Sequence, residues 1–259
     1  MLFGILTSFR NFLYNFGVLK TYSINIPVIS IGNITVGGTG KTPTTRYLAE
    51  KIISMGYLPG IISRGYGRST KSQIIVHDGK KMLSSWCDSG DEPFLLASWL
   101  DSVPVVVDNN RVAAAKTLIK KFNVDIIILD DGFQHRKIFR NIDIVLFNSL
   151  EESNSLNMLP LGRLREKLHN LSRCDILIFT KLKNQTLNDI KNSFNLILPD
   201  KVLSSSNNLK VIKYNYNEKI EPSSIELPVF AFCGIGDPDS FIKDLKSIGI
   251  KTTHFKQFK

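Results

Sequence analysis

The chain has 259 residues, enough for one large α/β domain or two modest ones. Its 43% hydrophobic and 22% charged content is ordinary for a soluble globular protein, and no internal repeat or low-complexity tract is present. The formal net charge of +10 points to an anionic partner, without choosing among a nucleic acid, an anionic membrane surface and a phosphorylated substrate. Three scattered cysteines, Cys87, Cys174 and Cys233, form no C-x-x-C pair, which argues for a reduced compartment and against a structural metal.

In chain order, the first twenty residues place Leu2, Phe3, Ile5, Leu6, Phe9, Phe12, Leu13 and Phe16 on one helical stripe. Arg10 interrupts the run, so it is too short for a bilayer span of about 20 residues, and a secretory cleavage site is missing. The pattern suits a helix lying in a membrane interface, with packing on the domain core as the competing arrangement. Strands are then expected at 27–32, 59–64, 104–108, 125–131, 142–147, 174–180 and 228–234, with helices after the glycine-rich loop, at 110–122 and at 237–249. Near-continuous Ile/Val/Leu runs indicate strands buried on both faces, hence a mostly parallel sheet flanked by helices. The polar stretch 198–210 reads as a linker, giving a 1–20 amphipathic helix, a 21–200 core domain and a smaller 211–259 C-terminal α/β portion.

The loop "NITVGGTGKTP" (33–43) carries the end of G-x-x-x-x-G-K-[ST], with Thr35 in place of the opening glycine. A strand before it and a helix after it supply the context of a phosphate-binding loop. Backbone N–H groups of Thr35, Val36, Gly37, Gly38, Thr39 and Gly40 would cradle phosphate oxygens. Lys41 would reach the β- and γ-phosphates and Thr42 would ligate Mg²⁺. "IIILDD" ends in Asp130 and Asp131, which resembles a Walker B segment able to hold the same metal. The guanine signature [NT]-K-x-D is absent, since "FTKLK" has Lys183 at the aspartate position, so ATP is the expected nucleotide.

Three further stretches offer charged groups: Arg64 and Arg68 in "SRGYGR", Asp91 and Glu92 in "SGDEP", and Arg163 and Arg165 in "LPLGRLREKL". Arginines at loop ends clamp anions well. Together with "DDGFQH" and "FCGIGDPDSF", these motifs occur in the order found in tetraacyldisaccharide 4′-kinases of lipid A biosynthesis, and the chain resembles that family over roughly 1–250.

The resemblance implies a P-loop NTPase-like kinase that uses ATP and Mg²⁺ and phosphorylates the 4′-hydroxyl of an acylated disaccharide 1-phosphate. It implies a monomer bound peripherally to the cytoplasmic face of a Gram-negative inner membrane, with no nucleic-acid partner. Asp91 would be the general base, Lys41, Asp131 and Arg165 would join it in catalysis, and Thr42, Asp130 and Asp131 would hold the metal. Arg64, Arg68, Glu92, His135 and Arg163 would serve the substrate. The family also continues past this C-terminus with an Asp-His-His segment that His254 does not match, which implies a truncated C-terminal portion, retained nucleotide binding and reduced turnover. The competing class is a P-loop ATPase switch of the partitioning or cell-division type, but its signature lysine is replaced here by Val36.

Overall fold

The computed structural model describes residues 2–151, 155–182, 186–194, 198–206, 211–213, 218–234 and 238–258. Two compact units divide the chain, Met1–Ser205 and Ser206–Lys259.

In the first unit an eight-stranded sheet is built from β1 (Val28–Asn33), β2 (Pro59–Ser63), β3 (Ile74–Asp78), β4 (Pro104–Val107), β5 (Ile126–Asp130), β6 (Ile142–Asn148), β7 (Ile176–Thr180) and β8 (Lys201–Ser204). Their spatial order is β3-β4-β2-β5-β1-β6-β7-β8, parallel throughout except for β3. Alternate residues serve opposite faces, as the pleat requires. On β5, Ile126 and Ile128 face the core that contains α2 (Lys41–Ser54) and α4 (Asp91–Trp99), while Ile127 and Leu129 face that of α5 (Arg111–Phe122). Both faces are therefore covered, which explains the unbroken apolar runs; two shorter helices, α3 (Trp86–Ser89) and α6 (Leu187–Phe194), belong to the same unit. α5 is bounded by its own sequence: the Asn110 side chain accepts from the Ala113 N–H at its start, and Asn123 in a left-handed conformation ends it.

Each strand expected in this unit is present. The sequence reading missed β3 and β8. β8 falls inside the stretch taken for a linker; it is a short edge strand with mostly exposed side chains, so burial leaves no apolar signature. Residues 207–210 of that stretch, Lys183, and Asp237 in the "FCGIGDPDSF" motif lie outside the described residues.

Strand order sets the site. β1 is flanked by β5 and β6, and the chain returns to opposite sides of it, so a crevice opens at the carboxyl ends of β1 and β5. The register pairs Ile31 with Asp130, bringing the end of the glycine loop's strand beside the aspartate pair.

Helix α1 (Leu2–Asn15) inverts the usual amphipathic arrangement. Gly4 and Asn11 are buried and Thr7 and Ser8 half-buried, so its small and polar face meets the protein. Ile5, Leu6, Phe9, Phe12 and Phe16 are 51–70% exposed. The apolar stripe is thus not packed on the core. No described helix is long and apolar enough to cross a membrane.

The second unit contains a parallel pair, β11 (Phe230–Cys233) with β12 (His254–Gln257), an antiparallel pair, β9 (Val211–Lys213) with β10 (Glu218–Ile220), and helix α7 (Pro238–Ser247). His254 stacks on the Phe230 ring.

Candidate active site

The loop 34–40 leads from β1 into α2, whose N-cap is Gly40 with φ of 87° and no side-chain cap. The first N–H groups of α2 therefore have no side-chain acceptor, the condition in which a helix N-terminus takes an anion. Gly37 has a φ of 106°, a backbone conformation that L side chains rarely adopt, and a Cβ there would also displace the tip of the Arg163 guanidinium. Gly37 and Gly38 are exposed, whereas Thr39 is buried and accepts a hydrogen bond from Asn33 Nδ2 at 3.0 Å.

A second segment braces this loop. The Val36 N–H donates to the Arg163 carbonyl at 2.8 Å, and the Val36 carbonyl accepts from Arg163 Nε and Nη2 at 3.1 and 2.8 Å. Thr35 bridges Leu164, and the Arg165 N–H donates to the Ile34 carbonyl at 2.8 Å. Residues 163–165 thus form an antiparallel partner for 34–36. Arg163 is engaged with the loop and with Glu151 at 3.3 Å, a different position from the substrate clamp expected of it.

The charged centre lies behind the loop. Lys41 Nζ is 3.6 Å from Asp131 Oδ1, and Arg165 Nη1 donates to both Asp131 oxygens at 2.7 and 2.8 Å. Burial pushes the Asp131 carboxyl up, but Lys41 and Arg165 outweigh it and hold the group below the usual carboxylate range. Asp130, one residue earlier, has different partners. It is fully buried and accepts from Thr45 Oγ1 at 3.3 Å and Ser63 Oγ at 3.1 Å. Burial, followed by the neighbouring Glu92 and Asp131 charges, raises it to about 6.

Arg111, at the first position of α5, is 2% exposed; its Nη1 donates to the Asp108 carbonyl while its Nε has no partner. Burial lowers it to about 10, against the pull of Asp130 and Asp131. Sequence reasoning passed over this residue. The available signal was a cation in a first helical turn, where the macrodipole disfavours it. His135 lies close enough to Arg111 and Arg140 for their charges, added to burial, to lower its imidazole to about 4, and its Nε2 is buried without a partner. It is therefore neutral near pH 7. Gln134, also missed, donates to the Asn33 carbonyl at 2.9 Å.

The remaining candidates sit on two loops packed together. Gly90 precedes Asp91, and a Cβ on Gly90 would come 2.8 Å from the Tyr66 carbonyl, so the "GDEP" turn rests on the "SRGYGR" turn. Asp91 and Glu92 open α4 and are exposed, as is Arg64. Arg68 donates to the Ser72, Val107 and Lys71 carbonyls at 2.9–3.3 Å, which staples its own loop and leaves it less suited to an anion than expected.

Oxygen donors dominate the centre. The described residues contain no group of three or more His, Cys, Asp or Glu arranged for a metal. Asp130 and Asp131, with Thr42 half-buried at the start of α2, fit a hard cation that draws its other ligands from phosphate and water. Burial, and behind it the Glu92 and Asp131 charges, raises Asp130, and such a cation would favour its charged form again.

A glycine loop entering an uncapped helix, set against paired aspartates on the adjacent parallel strand, defines a P-loop nucleotide-binding α/β protein. Comparison with known proteins narrows this class. The family model for tetraacyldisaccharide-1-P 4′-kinase matches residues 1–259, and the chain belongs to that family. It is 37% identical to the tetraacyldisaccharide 4′-kinase of Desulfotalea psychrophila over 261 residues, 99% of this chain and 75% of the relative. Against the enzyme of the same name from Chlorobaculum parvum it is 38% identical over 268 residues, covering all of this chain and 72% of the relative. The crystal structure of the "apo" form of LpxK from Aquifex aeolicus in complex with ATP superposes with a TM-score of 0.78 at 35% identity, covering 99% of this chain and 78% of that one. The family match goes with the kinase reading rather than the ATPase switch.

Proposed function

We propose that this protein is an ATP-dependent kinase that transfers the γ-phosphate to the 4′-hydroxyl of a tetraacylated glucosamine disaccharide 1-phosphate in lipid A biosynthesis. The observation that carries the reading is the apposition of the braced glycine loop to the Lys41–Asp131–Arg165 cluster. Phosphoryl transfer asks for positioning and charge neutralisation more than for covalent chemistry. The loop N–H groups and Lys41 hold the phosphates, and Arg165 lies where charge builds on the transferring group. Asp91 takes the proton of the acceptor hydroxyl, with Glu92 beside it. A magnesium ion, when bound by Thr42, Asp130 and Asp131, neutralises β- and γ-phosphate charge. Arg64 and the neutral His135 contact the sugar phosphate.

The uncovered apolar face of α1 supports peripheral association with a membrane, which we assign to the cytoplasmic face of the inner membrane. The protein acts there as a monomer. The test is transfer of labelled phosphate from ATP to a disaccharide 1-phosphate acceptor presented in detergent micelles. Acceptor-dependent labelling is expected; ATP turnover of equal rate without acceptor, rising with protein concentration, would overturn the reading in favour of the ATPase switch.

A further inference from the structure

Arg165 and Glu166 are neighbours with opposite duties. Arg165 reaches Asp131, while Glu166 turns away and is fully buried against α1. Its Oε2 accepts from Asn11 Nδ2 at 2.6 Å and from Arg173 Nη2 at 2.8 Å, and Arg10 Nη2 lies 3.5 Å from Oε1. The same cluster grips the other side of the site. Arg136 Nη1 donates to the Asn11 carbonyl at 3.0 Å, and the Arg173 guanidinium lies 4.5 Å from the centroid of the Phe133 ring, two residues beyond Asp131.

A buried carboxylate holds its place only while its donors do, because losing a partner leaves an uncompensated charge in a poor solvent for it. Two of the three groups around Glu166 belong to α1, the helix whose buried face is polar. We infer that Glu166 and Asn11 are positioning residues for Arg165: the seating of α1 on the protein fixes Glu166, and Glu166 fixes the adjoining arginine on Asp131. Residues 163–165 are laddered to the glycine loop, which keeps the phosphate cradle in place, so displacement of Glu166 is felt by the adjoining Arg165 side chain. The helix that bears the outward apolar face is thereby tied to the transfer centre through two side chains and one peptide unit.

This inference rests on the kinase reading, and its test separates the two. In the full chain, Asn11→Leu removes a donor and Glu166→Gln removes a charge, and both are compared with Arg165→Ala and with the Asn11→Leu/Arg165→Ala double variant in the micelle assay. Displacing a catalytic group by about 1 Å costs up to roughly 100-fold, so kcat is expected to fall about 10- to 100-fold in each single variant. KM for ATP and binding to lipid vesicles are expected to stay near wild type. The decisive readout is the cycle: the double variant should be no slower than Arg165→Ala alone, and Asn11→Gln should restore part of the rate. Independent, multiplicative losses, or an unchanged kcat in Asn11→Leu, would overturn the positioning role. Should Asn11→Leu fail to fold, the same cycle run with Glu166→Gln decides. A wild-type protein without acceptor-dependent transfer would instead sink the kinase reading itself.

Discussion

Two regions of the first unit reverse the ordinary distribution of polarity, and they do so in opposite senses. At the carboxyl edge of the sheet, Lys41, Arg111 and Asp130 are all at most 8% exposed. On α1, by contrast, large apolar side chains stand in solvent, Ile5 at 64% and Phe9 at 59%. Elsewhere the chain keeps the usual order: α5 buries Val112, Ala114, Ala115 and Leu118 and closes on Lys120 and Lys121. Burying charge costs free energy, and leaving apolar surface wet forgoes it. On the proposed function, each reversal would be completed by a different kind of molecule: a charged, phosphate-bearing one at the sheet edge and an apolar one at the helix.

Separating the two regions by mutation gives the largest expected effect. Lys41→Ala should lower phosphate transfer by about 100- to 1,000-fold or more, by analogy with the loss of one preorganised stabilising donor, while vesicle sedimentation is unchanged. The converse change, Phe9→Ser with Phe12→Ser, should weaken sedimentation with vesicles about 100-fold or more, each ring being worth roughly 1.5–3 kcal/mol when buried. Its urea unfolding should stay within about 0.5 kcal/mol of wild type, since neither ring is in the core. Loss of stability with unchanged vesicle binding would break the comparison.

Smaller effects test the buried charges. The Asp130 pKa is raised to about 6 in the folded state, so its favourable contribution is complete below the ordinary carboxylate value and is lost as pH rises through 6. Asp130→Asn should therefore stabilise the nucleotide-free protein above pH 6 by up to about 3 kcal/mol in urea titrations, at the cost of transfer. The Thr45 and Ser63 hydroxyls can rotate to serve the amide. His135 acts in the opposite sense. Its lowered pKa, about 4, contributes stability above the ordinary histidine value that is lost as pH falls toward 4. The two slopes oppose each other between pH 4 and 6. In the Asp130→Asn background, where the opposing slope is gone, His135→Gln should remove an acid loss of up to about 3 kcal/mol, read from the same titrations.

What the sequence disclosed follows from which signals are local. The glycine loop, the Walker B-like pair and the parallel strands were legible because each is a contiguous run with its own periodicity. β8 was not, because a half-exposed edge strand carries no apolar alternation. Arg163 and Arg68 were recognised as cations at loop ends, but their partners are backbone carbonyls, and a carbonyl leaves no trace in residue identity. Arg111 and Glu166 were missed for a related reason: a charged residue reads as surface until the fold encloses it. The stripe on α1 was legible, while its direction was not, since periodicity reports a face and not what that face meets.

The ladder between residues 34–36 and 163–165 has a consequence for the order in which the molecule is made. Val36 is one of the earliest parts of this unit to leave the ribosome, yet its bracing partner follows 127 residues later. Contacts of such separation form late, after the loop-closure entropy between them has been met. A nascent chain therefore holds strands β1 to β6 before the segment that braces its glycine loop has been made.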